Sequence, residues 1–212
     1  MNWRSEPPCG CISQGRPRPV SEVEAVCAVL RRATHDLHER LERLPVMAPL
    51  TAGCVSAPQY LRALARLYGF YAPMEAVLFG DTLPDSMGVR PKSPALLRDL
   101  SALGLSGDAI TTLPHCTRLP ALSDPSQRLG ALYVLEGATL GGRVVLRRIA
   151  DSLGELTHTA TNFHGFHGDE VGPWWKYFQA ELTERLRDQP SIAHATHGAT
   201  ATFDSLGAWL EA

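Results

Sequence analysis

The chain has no run near the roughly 18 consecutive apolar residues that a membrane helix needs. Its N-terminus also lacks the apolar core of a secretory signal, so the expectation is a cytoplasmic protein with no membrane partner. Charge of one sign is missing too. A net charge of −2 gives no electrostatic reason to expect nucleic acid or an anionic surface as partner. Cysteine is present five times, an odd number at irregular spacing, which argues against a disulfide framework. Cys9 and Cys11 form an isolated C-x-C with no second pair to complete a zinc site, and read as reduced thiols. No segment shows convincing strand alternation, and no internal repeat is visible. The fold class expected is all-α.

What is there fits one domain: 212 residues, 44% hydrophobic and 20% charged, enough to bury a full core. Residues 1–20, rich in proline and without periodicity, read as a flexible tail, leaving 21–212 as a helical domain. Ser21 reads as a helix cap, and the pattern Val26, Leu30, Ala33, Leu37, Leu41 carries a helix until Pro45. A second helix is expected over Ala57–Phe79, closed by Gly80. A loop over 81–94 and a short helix from Pro94 to Leu103 follow. Asp124-Pro125 then starts a long helix reaching Ile149 or beyond. After a connection over 158–173, helices from Trp174 to Arg187 and from Ile192 to Leu210 complete the chain.

Two of these helices carry residues that their propensity does not explain. The first contains "LRRATHDLHERLERL". His38 sits beside Leu37, Leu41 and Thr34 on the apolar stripe, where it can look into the interior, while His35 falls toward the polar side. The long helix contains "LYVLEGATLGGRVVLRR", with Gly137, Gly141 and Gly142 in its middle. Each costs roughly 0.8–1 kcal/mol relative to alanine. In a helix Gly137 and Gly141 are four apart, as are Ala138 and Gly142, giving a strip almost without side chains. Such a strip admits either a neighbouring helix or a flat ligand. A two-metal carboxylate bundle would need two Glu-x-x-His pairs, and Glu155-x-x-His158 stands alone. A haem needs only one axial imidazole and a flat apolar slot.

Together these segments resemble the bacterial haem oxygenases. "LRRATHDLHERLE" matches the run that carries the family's proximal ligand, which places it at His38. "YVLEGATLGGRV" matches the glycine-bearing distal helix, and "YLRALARLYGFYAPMEAVL" is similar to the family's second helix. The resemblance spans roughly residues 22 to 190. It looks closest to enzymes that supply biliverdin to bacteriophytochromes.

The resemblance implies oxygen-dependent opening of haem b to biliverdin, carbon monoxide and ferrous iron, consuming three O2 and seven electrons. Haem is then both substrate and prosthetic group. No flavin or nicotinamide fingerprint is visible, so no bound flavin or NAD is expected. Electrons then come from a ferredoxin or an NAD(P)H-dependent reductase. His38 would bind the iron, with Thr34 beside it. Gly137, Ala138, Gly141 and Gly142 would line the distal face and steer oxygen to one meso carbon. Arg31, two turns before His38, and Tyr133, one turn before Gly137, would meet the propionates. Animal-type enzymes carry an aspartate where this chain has Ala138, so protons must arrive through ordered water or another side chain, with Glu136 and Thr139 near in sequence. That departure keeps a haem-binding or storage protein of the same fold as the alternative. A helical enzyme acting on a haem-free substrate is a third reading, against which His38 stands.

Overall fold

The structure is a computed structural model that describes residues 20–80 and 87–212. The tail with Cys9 and Cys11 and part of the 81–94 loop lie outside the described residues. Among those residues the elements are all helical: α1 (Val20–Glu42), α2 (Ala48–Ala52), α3 (Ala57–Phe79), α4 (Ser93–Ala102), α5 (Gly107–Thr111), α6 (Pro125–Leu153), α7 (Leu156–Thr159), a 3-10 turn (Gly168–Glu170), α8 (Val171–Arg185) and α9 (Gln189–Glu211). The all-α expectation holds. The short α2, α5 and α7 were not foreseen, because four or five residues carry no readable period.

Local chemistry sets the ends. Ser56 caps α3 through a reciprocal box with Gln59, and Asp124 caps α6 in the same way with Gln127. Asp188 accepts from the Ser191 N–H at 2.8 Å, which starts α9 three residues before the expected Ile192. Ser21, read as a cap, falls inside α1. Gly80 ends α3 as expected, and does so with right-handed angles (φ −63°). Within α3, Pro73 has no N–H to give the Gly69 carbonyl one turn earlier. That carbonyl instead accepts the Cys116 N–H at 2.8 Å. Gly69 is needed at the same point, since a Cβ there would lie 2.4 Å from the Pro114 oxygen.

The molecule is organised around α9, which packs on α6 and on α1. Gly130 on α6 and Gly198 on α9 let those backbones meet. A Cβ on either would lie 1.8 Å from the Ala195 oxygen or 2.1 Å from the Gln127 oxygen. α6 is long and apolar enough, by length and composition alone, to cross a membrane, but half of its most apolar stretch is buried inside the fold. The apolar face of α1 differs from the sequence pattern in one place. Val26, Leu30 and Thr34 are buried, Leu37 and Leu41 are half-buried, and Ala33 is exposed.

Candidate functional site

On α1, Cys27, Arg31, Thr34 and His38 follow one another at helical spacing and share a face. Thr34 is buried and its hydroxyl donates to the Leu30 carbonyl at 2.8 Å, so it shapes the helix and offers no free donor. His38 does not look into the interior as the pattern suggested. Its side chain is 56% exposed, with Nδ1 3.8 Å from Glu42 Oε1 one turn on. The ring stands edge-on to Phe203 of α9, centroids 6.0 Å apart. A carboxylate on the Nδ1 side leaves Nε2 as the nitrogen turned elsewhere, the arrangement that suits an axial ligand. His35 is 62% exposed and paired with Glu39 at 3.2 Å, on the polar side as expected. A shallow groove between α1 and α9 runs beside this face along Leu37, Leu41, Phe203 and Gly207.

The glycines of α6 separate into two kinds. Gly141 has no heavy atom within 4 Å of where its Cβ would stand, and Gly137 meets only the tip of Trp175 at 3.7 Å. Leu140 and Val144 on the same side are each 40% exposed, and Ala138 is exposed as well. These residues form an uncovered apolar strip. Gly142 departs from the expectation. It is buried, and a Cβ there would lie 2.4 Å from the His164 backbone oxygen, so this glycine serves close packing behind the strip.

Arg31 and Tyr133 are brought together. Burial raises the Tyr133 phenol to about 12, with Cys27 adding to the rise and the Arg31 charge opposing it. The Tyr133 ring lies 5.6 Å from that of Trp175, which stacks in turn on Phe178. Trp175 therefore joins α8 to both Tyr133 and Gly137, a contact no pattern within one helix could show. Burial likewise pushes the Cys27 thiol up to about 11.

The two groups near Ala138 in sequence both turn inward. Thr139 is buried and donates to the Glu136 carbonyl at 2.7 Å. Glu136 is fully buried, where Lys92 pairs with it, Trp174 Nε1 donates at 2.8 Å and His167 Nε2 lies 3.4 Å away. Burial raises this carboxyl. The His167 bond, the Lys92 charge and the Trp174 bond outweigh that and hold it below the usual carboxylate range. Lys92 in turn starts α4, where its N–H (2.5 Å) and that of Ser93 (3.1 Å) donate to buried Glu75 of α3. This network escaped the sequence reading. Its one visible signal is a glutamate in the middle of an apolar run.

The arrangement is an exposed imidazole with a carboxylate near one nitrogen, an uncovered strip of glycine and aliphatic residues, and an arginine whose charge reaches a tyrosine on the neighbouring helix. A flat apolar ligand with an axial acceptor and an anionic edge fits all three. The haem oxygenase family model matches residues 24–212. A haem oxygenase of Xanthomonas campestris pv. campestris is 35% identical over 162 residues, covering 74% of this chain and 92% of the relative. The solved haem oxygenase of Leptospira interrogans superposes with a TM-score of 0.72 at 16% identity, over 88% of this chain and 98% of that one. A cyanobacterial haem oxygenase-1 from Synechocystis, solved in complex with haem, gives 0.66 at 16% identity, over 87% and 90%. Motif, fold and family match agree over the same helices, and the chain belongs to the haem oxygenase family.

Proposed function

We propose that residues 21–212 bind haem b between the open faces of α1 and α6 and cleave it oxidatively to biliverdin, carbon monoxide and ferrous iron. The observation that carries this reading is the uncovered strip Gly137, Leu140, Gly141 and Val144. Glycine backbone and aliphatic side chains left open on a core helix mark a surface suited to a ligand. When bound, haem supplies the iron at which O2 is activated. His38 would hold the iron through Nε2, with the Glu42 carboxylate 3.8 Å from Nδ1 favouring that ring direction. Gly137 and Gly141 would let a flat ligand reach the α6 backbone, with Trp175 standing beside Gly137. Arg31 and the Tyr133 hydroxyl serve the carboxylate edge. Ala138 offers no proton. Water held on backbone carbonyls of the strip supplies it, because Glu136 and Thr139 are committed inside the core.

Electrons come from a separate ferredoxin or NAD(P)H-dependent reductase, and the biliverdin serves a bacteriophytochrome in the cytoplasm. The test is to add haemin, record the spectrum, then supply ascorbate or reduced ferredoxin in air. Loss of the Soret band with appearance of biliverdin is the expected result; no haemin binding would sink the reading. Inward-turned Glu136 beside exposed Ala138 favours one alternative, a haem-storage protein with little turnover. Its signature is a reduced haem complex that persists in air without bleaching.

A further inference from the structure

A second set of buried polar groups lies behind the open strip and apart from His38, and it converges on one short segment, residues 162–167, between α7 and the 3-10 turn. Asp99 of α4 accepts the backbone N–H of Asn162 at 2.7 Å and of Phe163 at 2.8 Å, together with the Asn162 side-chain amide at 2.7 Å. The Tyr60 hydroxyl of α3 is hydrogen-bonded to His164 Nδ1 at 2.9 Å. Glu136 of α6 takes His167 at 3.4 Å and, just beyond the segment, Trp174 at 2.8 Å. Asp99, Tyr60 and Glu136 are each 0% exposed. Connections ordinarily run over the surface and move. This one is pinned from three helices by groups that are costly to leave unpaired.

The segment presses on α6 at two places. The His164 backbone occupies the space a Cβ on Gly142 would need, with its oxygen at 2.4 Å and its carbonyl carbon and Cα at 3.1 Å. His167 is bonded to Glu136. Glu136 directly precedes Gly137 and Gly142 directly follows Gly141, the two open glycines of the strip. The helix on either side of the two open glycines is therefore held from behind by one segment, while in front Gly141 meets nothing within 4 Å.

We propose that segment 162–167 is a splint for α6, and that His164 and His167 are positioning residues that set where the glycine strip stands against bound haem and so which meso bond is cut. The proposal rests on the haem reading for its ligand. Its physical basis is that a strip without side chains can discriminate only through the placement of its backbone. In a close-packed interior that placement is set by what stands behind it. A misplacement of about 1 Å can cost up to about a hundredfold in turnover.

The discriminating variants are His167→Leu, which removes the bond to Glu136, and His167→Gln, whose amide can restore it. Two quantities are read: the ratio of biliverdin isomers formed from haem, and hydrogen exchange of the 137–142 amides in haem-free protein, with α9 amides as reference. Loss of folded protein lowers the yield of every isomer alike and leaves their ratio unchanged. The expected result is a several-fold rise of minor isomers and faster exchange at 137–142 in His167→Leu, with both returning toward the parent in His167→Gln. Unchanged ratio and exchange in folded His167→Leu overturn the proposal, as does identical behaviour of the two variants. If His167→Leu does not fold, Gly142→Ala and Tyr60→Phe take its place: a shifted ratio with faster exchange supports the splint, and no change in either overturns it. Failure of the haem reading shows separately, as absence of haemin binding in the parent, while the exchange comparison still tests the splint.

Discussion

His38 is more than half exposed and fills no cavity, so its removal separates ligation from stability. His38→Ala is expected to change stability by no more than about 0.5 kcal/mol. It should also lose the axial-imidazole spectrum and turnover, with added imidazole restoring the spectrum. His35→Ala, removing only a surface pair with Glu39, should leave both unchanged. Equal loss from the two variants would reverse the choice of ligand. The glycines invite a second comparison. Gly141→Ala meets no neighbour and removes a helix penalty, so the stability of the haem-free protein, read by thermal melting, should rise by up to about 1 kcal/mol while haemin affinity falls. Gly130→Ala drives a Cβ to 1.8 Å from the Ala195 oxygen, and should cost about 1–3 kcal/mol or more from overpacking. Sequence alone treats these two positions alike, because both are helical glycines on one element. What separates them is whether another backbone lies across them.

At the scale of elements, the segment that supports α6 is sensitive to acid. Burial lowers the His164 pKa from 6.5 to about 4. The folded protein therefore keeps the ring neutral where the unfolded chain takes up a proton. The contribution is complete above pH 6.5 and is lost as pH falls toward 4, at about 1.4 kcal/mol per pH unit. Glu136, held below its usual range, adds a loss in the same direction at lower pH. Asp99, raised by burial against its bonds from Phe163 and Asn162, works the other way, since it takes its proton first in the fold. Chemical denaturation between pH 7 and 4 should show the decline, and His164→Gln should flatten it between pH 6.5 and about 5. A slope unchanged in that variant would assign the acid sensitivity to other groups. Much of the element layout was legible. α3 has the expected Ala57–Phe79 limits, and the Asp124-Pro125 start of α6 was read from its cap. The connection over 158–173 was recognised only as a connection, because His164 and His167 are explained by partners on α3 and α6 that lie far away in sequence.

For the whole molecule, α1 and α6 each lean on α9, so a ligand held between their open faces adds a contact the apo fold lacks. Haem at about a hundred times its dissociation constant would add about 2.7 kcal/mol. For a chain of this size that is a rise in melting temperature of roughly 5–10 °C. The shift should be clearly smaller in His38→Ala, and an equal shift in parent and variant would mean that haem binds elsewhere. The amino-acid sequence by itself determined that this protein is all helical, where its long helices run, that His38 belongs to a face with Arg31, and that α6 carries a strip nearly free of side chains. Those properties depend on spacing along one chain segment, which helical periodicity fixes. Only the tertiary structure decided that Gly141 is open while Gly142 is covered, that His38 faces outward beside Glu42, and that Glu136 is bound into the core by Lys92, His167 and Trp174. A helix's own pattern states which residues share a side, but the burial, partner and charge environment of that side come from whatever the rest of the chain packs against it.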